Sequence, residues 1–61
     1  MNNRIREFRS AQGLSQAELG KKLNVAGATV SSWEQNRTEP NMEQSIKMAN
    51  LFGCTLNDLF G

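Results

Sequence analysis

Leu14-Ser15-Gln16-Ala17-Glu18-Leu19-Gly20-Lys21-Lys22-Leu23-Asn24-Val25-Ala26-Gly27-Ala28-Thr29-Val30-Ser31-Ser32-Trp33 reads as two short helical patterns with almost nothing between them. So short a join leaves room only for a sharp turn, which forces the two helices to pack at an angle. Ser15 and Glu18 make a Ser-x-x-Glu capping box, in which each side chain satisfies a backbone amide of the other residue, so the first helix starts at Gln16. It runs to about Leu23, with Leu19 and Leu23 on one face and Ala17 and Gly20 small enough for a neighbouring helix to approach. Asn24-Val25-Ala26 forms the turn, and Val25 is expected to point inward. The second helix spans Gly27 to Gln35. Val30 and Trp33 face the core, and Gly27, Ala28, Ser31, Ser32 and Gln35 fall on the outward arc. That arc is small and polar.

Upstream, Ile5 and Phe8 stand among charged residues and are followed by Gly13, which suits the left-handed position just past a helix end; a first helix over residues 3–12 is expected. Downstream, Asn36 to Pro40 is a loop, because Asn36 tolerates left-handed geometry and Pro40 turns Glu39 away from helix. Asn41 and Gln44 repeat the capping box and open a helix from Met42 to Phe52 that Gly53 ends. Its expected inward stripe is Met42, Ile46, Ala49 and Phe52. Thr55 and Asp58 cap a last short turn that carries Leu56, Leu59 and Phe60. Met42, Met48 and Trp33 all read as packing residues. The sum is a single all-α domain over residues 1–61, a five-helix bundle with no strand signal.

A 61-residue chain can bury only about 60% of the surface it exposes when unfolded, so packed helices must carry a small stability. One Cys and no His exclude an internal disulfide and a structural zinc site. No cofactor, metal or small-molecule ligand is expected. No apolar run is long enough to cross a bilayer, and Met-Asn-Asn-Arg lacks the apolar stretch of a secretory signal, so the expectation is a soluble, cytoplasmic protein without a membrane partner. Seven Lys and Arg against six Asp and Glu leave a net charge of +1, a weak bulk argument for nucleic acid. Arg4, Arg6, Arg9, Lys21, Lys22 and Arg37 nonetheless precede the helix at Met42, and only Lys47 follows. Lys21 and Lys22 read as a solvated face.

A helix pair held at a sharp angle can set its second member in the major groove of DNA while the first crosses the backbone. Leu14-Ser15-Gln16-x-Glu18-Leu19, Val30-Ser31-x-Trp33-Glu34, Pro40 and Gly53-Cys54-Thr55-Leu56-x-Asp58-Leu59-Phe60 together resemble the Cro and repressor type of helix-turn-helix domain, found in phage repressors and many bacterial regulators. The resemblance runs from Ile5 to Phe60 and implies a compact bundle of the lambda-repressor-like DNA-binding type, with the helix-turn-helix over about 16–34. It implies that Gln16 clamps a DNA phosphate beside the amides of its helix N-terminus, where the helix dipole favours an anion. It implies that Asn36, Arg37 and Thr38 grip a second phosphate stretch. Arg9 and Glu34 match an internal ion pair between the first and third helices.

Base edges in this family are read from positions that here hold Gly27, Ala28 and Ser32. None is a side chain capable of the bidentate pairing that distinguishes guanine or adenine. What remains is methyl contact from Ala28 or Thr29, single hydrogen bonds from Ser31 and Ser32, bridging water and DNA shape. Few base contacts favour pairing of two half-sites of an operator by a homodimer, at least on DNA, and Leu51, Leu56 and Phe60 offer an apolar surface for it; the alternative is that Leu56 and Phe60 are core, and for Phe60 the two readings stand equal. The chain is therefore expected to be a sequence-specific double-stranded DNA-binding transcriptional regulator, a repressor. The alternative is a helix-turn-helix module with weak DNA reading that acts through protein contacts, of the antitoxin or coactivator type. An enzyme is disfavoured by the absence of His and of a glycine-rich phosphate loop, and by Cys54 standing at a position the family fills with a core apolar residue.

Overall fold

Of the five helices among the described residues, four stop in the same way. After each, one residue swings into left-handed geometry, and its own amide and the one that follows it fold back onto the last turn. The residues are Gly13 (φ 69°), Asn24 (φ 65°), Asn36 (φ 59°) and Gly53 (φ 67°). After α1 (Ile5–Ala11), Gly13 N donates to Ser10 O and Leu14 N to Arg9 O; after α2 (Gln16–Leu23), Asn24 N donates to Lys21 O and Val25 N to Gly20 O. The same pair of bonds follows α3 (Gly27–Glu34), from Asn36 to Trp33 and Arg37 to Ser32, and α4 (Met42–Phe52), from Gly53 to Asn50 and Cys54 to Ala49. These Schellman closures satisfy carbonyls that a helix end would leave orphaned, and they turn the chain within two residues. A short α5 (Leu56–Phe60) completes the fold, and the computed structural model describes residues 3–61.

Three helix starts are equally local. Ser15 with Glu18, Asn41 with Gln44 and Thr55 with Asp58 each form the reciprocal capping box, which opens α2, α4 and α5. The first helix is two residues shorter at its start than its sequence suggests. Asn3 explains the difference: its Oδ1 accepts from Ile5 N at 3.2 Å, while its Nδ2 donates to Trp33 O at 2.7 Å and Asn36 Oδ1 at 3.2 Å. Arg4 N donates to Leu59 O at 2.9 Å. Asn3 and Arg4 are thus spent on tying α1 to the end of α3 and to α5. The third helix ends at Glu34, and Gln35 is its cap.

Ile5, Leu19, Leu23, Val30, Trp33, Met48, Ala49, Phe52 and Leu59 form the buried core, with Phe8, Leu14, Val25, Leu51, Cys54, Leu56 and Phe60 packed around it. The Phe8 ring stacks on Phe52, with centroids 5.8 Å apart. The inward stripe of α4 differs from the one its apolar letters suggest. Met42 is 66% exposed and Ile46 45%, whereas Ser45, Met48, Ala49 and Phe52 are buried. Ser45 can occupy a core position because its hydroxyl donates to Asn41 O at 2.9 Å, so no polar atom is stranded. Met42 is therefore a surface residue, not a packing one.

Candidate nucleic-acid interface

The most extensive packing between helices in the molecule joins α2 to α3, and two glycines set how closely they meet. A methyl group on Gly20 would sit 2.6 Å from Val25 O and 3.2 Å from Ala26 O, so the turn lies directly over this glycine. A methyl group on Gly27 would sit 3.1 Å from Ala17 Cα and 3.2 Å from Ala17 N. Gly27 therefore does not belong on the outward arc. Its open side faces the start of α2, and its smallness serves the packing of the two helices.

With Gly27 turned inward, the outer surface of α3 is made by Ala28, which is exposed, and by the half-buried Thr29, Ser31 and Ser32. Ser31 Oγ accepts from Gln35 Nε2 at 2.9 Å and keeps its own proton to donate. Ala28, Thr29 and Ser32 line an open depression together with Thr38, Glu39, Gln44 and the almost fully buried Trp33. Glu39 and Gln44 were not expected there. Gln44 reads from sequence only as a capping residue, and its Oε1 does accept from Asn41 N, but that bond leaves the amide nitrogen free beside the depression. No side-chain cap covers the amides at the start of α3, where Ala26 occupies the capping position.

Asn36, Arg37 and Thr38 are exposed on the loop after α3, and the Schellman bond from Arg37 N to Ser32 O fixes the Arg37 backbone against the end of that helix at 2.9 Å. Gln16 is half-buried at the start of α2. Its Nε2 donates to Glu34 Oε1 at 3.0 Å. The other oxygen of that carboxylate, Glu34 Oε2, accepts from Arg9 Nε at 2.7 Å, with side-chain exposures of 6% for Glu34 and 14% for Arg9. Arg9 Nη1 also donates to Leu14 O at 2.6 Å. The ion pair thus ties α1, the segment before α2 and the end of α3 into one network, and it includes a residue that sequence reasoning assigned to a separate task.

Leu51, Leu56 and Phe60 do not share a surface. Leu51 lines a shallow depression with Lys22, Leu23, Lys47 and Asn50, and its carbonyl accepts from Gln12 Nε2 at 3.1 Å. Leu56 and Phe60 line another with Met42, Ser45, Asn57 and Gly61. All three are half-buried against the core. The large apolar side chains left exposed among the described residues are Met42 and Ile46. The described residues include no group of acidic, His or Cys side chains placed to hold a metal ion, and no helix among them is long and apolar enough to cross a membrane.

A family model described as Helix-turn-helix matches residues 5–59. An uncharacterised HTH-type transcriptional regulator of Archaeoglobus fulgidus is 38% identical over 60 residues, which is 98% of this chain and 86% of the relative. Repressor protein C2 of Salmonella phage P22 is 36% identical over 55 residues, 90% of this chain and 26% of that protein. Among solved structures, the P22 c2 repressor in complex with a synthetic operator superposes with a TM-score of 0.82 at 35% identity, covering 88% of this chain and 82% of that one.

Proposed function

Because the chain belongs to the helix-turn-helix family, we propose that it is a sequence-specific double-stranded DNA-binding transcriptional regulator, a repressor, that sets α3 into the major groove. The observation that carries this reading is the likeness, over most of both chains, to a repressor solved on its operator. The local geometry supports it. α3 presents a narrow, small-residue face that can approach base edges closely, with Arg37 anchored past its end and Gln16 at the start of α2, the other helix of the pair.

Ala28 and Thr29 offer methyl groups to thymine, and Ser31 and Ser32 offer single hydrogen bonds, so each base pair is distinguished weakly and DNA shape contributes the rest. Gln16, Asn36, Arg37 and Thr38 hold phosphates, with Arg37 the one full charge among them. Weak reading per half-site favours two copies on a two-fold operator with half-sites about one helical turn apart. The exposed Met42, beside Leu56 and Phe60, supports a two-copy surface there, with the exposed Ile46 one turn along α4, and Leu51 lies outside that depression. The function involves no chemical reaction and no cofactor, and its place is the compartment of the DNA, the cytoplasm.

Selection from random duplexes followed by a salt titration tests this. Enriched sequences should carry two-fold symmetry, and binding to them should weaken with salt on a log-log plot with a modest slope, about one counterion for each Arg37 that neutralises a phosphate and so about two for a paired site. Absence of any enrichment would leave the protein-contact alternative, which the acidic Glu39 on the wall of the reading depression favours.

A further inference from the structure

Glu34 stands where three parts of the molecule converge, and its two oxygens have different partners. Oε2 takes Arg9 Nε at 2.7 Å, and Oε1 takes Gln16 Nε2 at 3.0 Å. A carboxylate only accepts, so the Gln16 amide can meet it in one orientation alone, with nitrogen inward and Oε1 away from it. One of the two Nε2 hydrogens is spent on Glu34; the second is left to donate. The carboxylate cannot swing to release this arrangement, because Arg9 holds its other oxygen and is itself held by Leu14 O at 2.6 Å. Gln16 is thus oriented by a network anchored in α1 and in the segment that precedes α2.

A phosphate, like a carboxylate, only accepts. A free glutamine would sample both faces of its amide and many rotamers, and would lose that freedom on binding. We propose that Glu34 is a positioning residue for the DNA interface: through Gln16 Nε2 it pre-orders the amide so that its remaining N–H meets a backbone phosphate. This rests on the DNA reading above. The ion pair then has two tasks, one in the fold and one in binding, which separate experimentally because they use different oxygens of one carboxylate.

The test uses the full chain with Arg9→Met, which removes the charge that would otherwise be stranded, combined with either Glu34→Gln or Glu34→Met. The Gln variant keeps an acceptor for Gln16; the Met variant, of similar size, has none. Both are measured on the duplex enriched by selection, below their melting temperatures. The Met variant should bind about three- to tenfold more weakly. Adding Gln16→Ala to both should abolish the difference. Equal affinities, or a difference that survives Gln16→Ala, would overturn the proposal, since a purely structural role of Glu34 does not depend on Gln16. Nitrogen relaxation of the Gln16 side chain in the unsubstituted chain decides the matter even if these variants do not fold: an ordered amide is expected, and one as mobile as a free surface glutamine would contradict it. If the unsubstituted chain enriches no duplex at all, the DNA reading itself falls first, and that failure is visible before any variant is made.

Discussion

A methyl group added at Gly20 would meet a backbone oxygen at 2.6 Å, while one added at Gly27 would meet backbone atoms of Ala17 at 3.1 and 3.2 Å. The first clash lies between a helix and its own turn, with nothing flexible to yield; the second needs the α2–α3 crossing to open by a few tenths of an ångström. Gly20→Ala should therefore lower stability by about 1 to 3 kcal/mol in urea unfolding, and Gly27→Ala by less, with alanine's better helix propensity offsetting part of the strain. A Gly27→Ala chain as damaged as Gly20→Ala would contradict this geometry. In the proposed DNA reading, base contact moves one residue along, to Ala28. Ala28→Gln should change which duplexes are enriched and leave the melting temperature nearly unchanged, because Ala28 is exposed. The sequence made the small residues at the start of α3 legible, but not the direction Gly27 faces. That direction depends on the crossing of two helices, which no periodicity within one of them encodes. Glu34 is the opposite case: its pairing with Arg9 was legible by resemblance, while the bond to Gln16 was not, since a donor at the start of α2 carries no local mark of its acceptor. Glu34→Ala should cost about 3 kcal/mol or more in thermal melting, a large share of the roughly 3 to 9 kcal/mol a domain of this size commands.

Helix boundaries were the most legible part of the fold because their causes are local. Ser15/Glu18, Asn41/Gln44 and Thr55/Asp58 each act across three residues, and the left-handed closures across three and five, so sequence spacing suffices to find them. The facing of α4 was less legible. Met42 and Ile46 look like core by letter, yet Ser45 is buried in their place because a serine that bonds to its own preceding turn is nearly as buriable as alanine. Capping also gives the elements a pH response. The Thr55 backbone amide and then its hydroxyl hold the Asp58 carboxyl below the usual carboxylate range, and Ser15 does the same for Glu18. A depressed folded-state value means that the stabilisation is complete above the ordinary carboxylate value, near pH 4, and is lost as pH falls through the lower folded one. For the five-residue α5, too short to persist alone, that loss should show first. Melting temperature should drop as pH is taken from about 5 to below 3, and Asp58→Asn should flatten the drop while lowering the plateau. An unchanged slope in the Asp58→Asn chain would mean that the cap contributes nothing measurable.

The molecule as a whole carries a net charge of +1, and one of its arginines is committed to an internal pair, so long-range attraction to DNA is weak and affinity must come from fitted contacts. With no bidentate side chain at Ala28, Thr29, Ser31 or Ser32, two copies acting together and DNA shape are the available sources of specificity. A standing dimer needs about 1,200 to 2,000 Å² of buried surface, far more than the two exposed apolar side chains Met42 and Ile46 can supply with their half-buried neighbours. Under the proposed DNA reading, the expected outcome is a monomer in free solution that pairs on its operator, where the duplex holds two copies at high effective concentration and a small contact becomes sufficient. Met42→Ser with Ile46→Ser tests this without altering charge. Since both positions are exposed, melting should change little, and affinity for a duplex bearing one half-site should be unaffected. Affinity for the two-half-site duplex should fall by about tenfold, the equivalent of roughly 1.4 kcal/mol of coupling between copies. If the loss is equal on both duplexes, the side chains act within one copy and the pairing surface lies elsewhere; if sedimentation finds a dimer without DNA at micromolar concentration, the contact is larger than this face and must draw on the Leu56 and Phe60 depression as well.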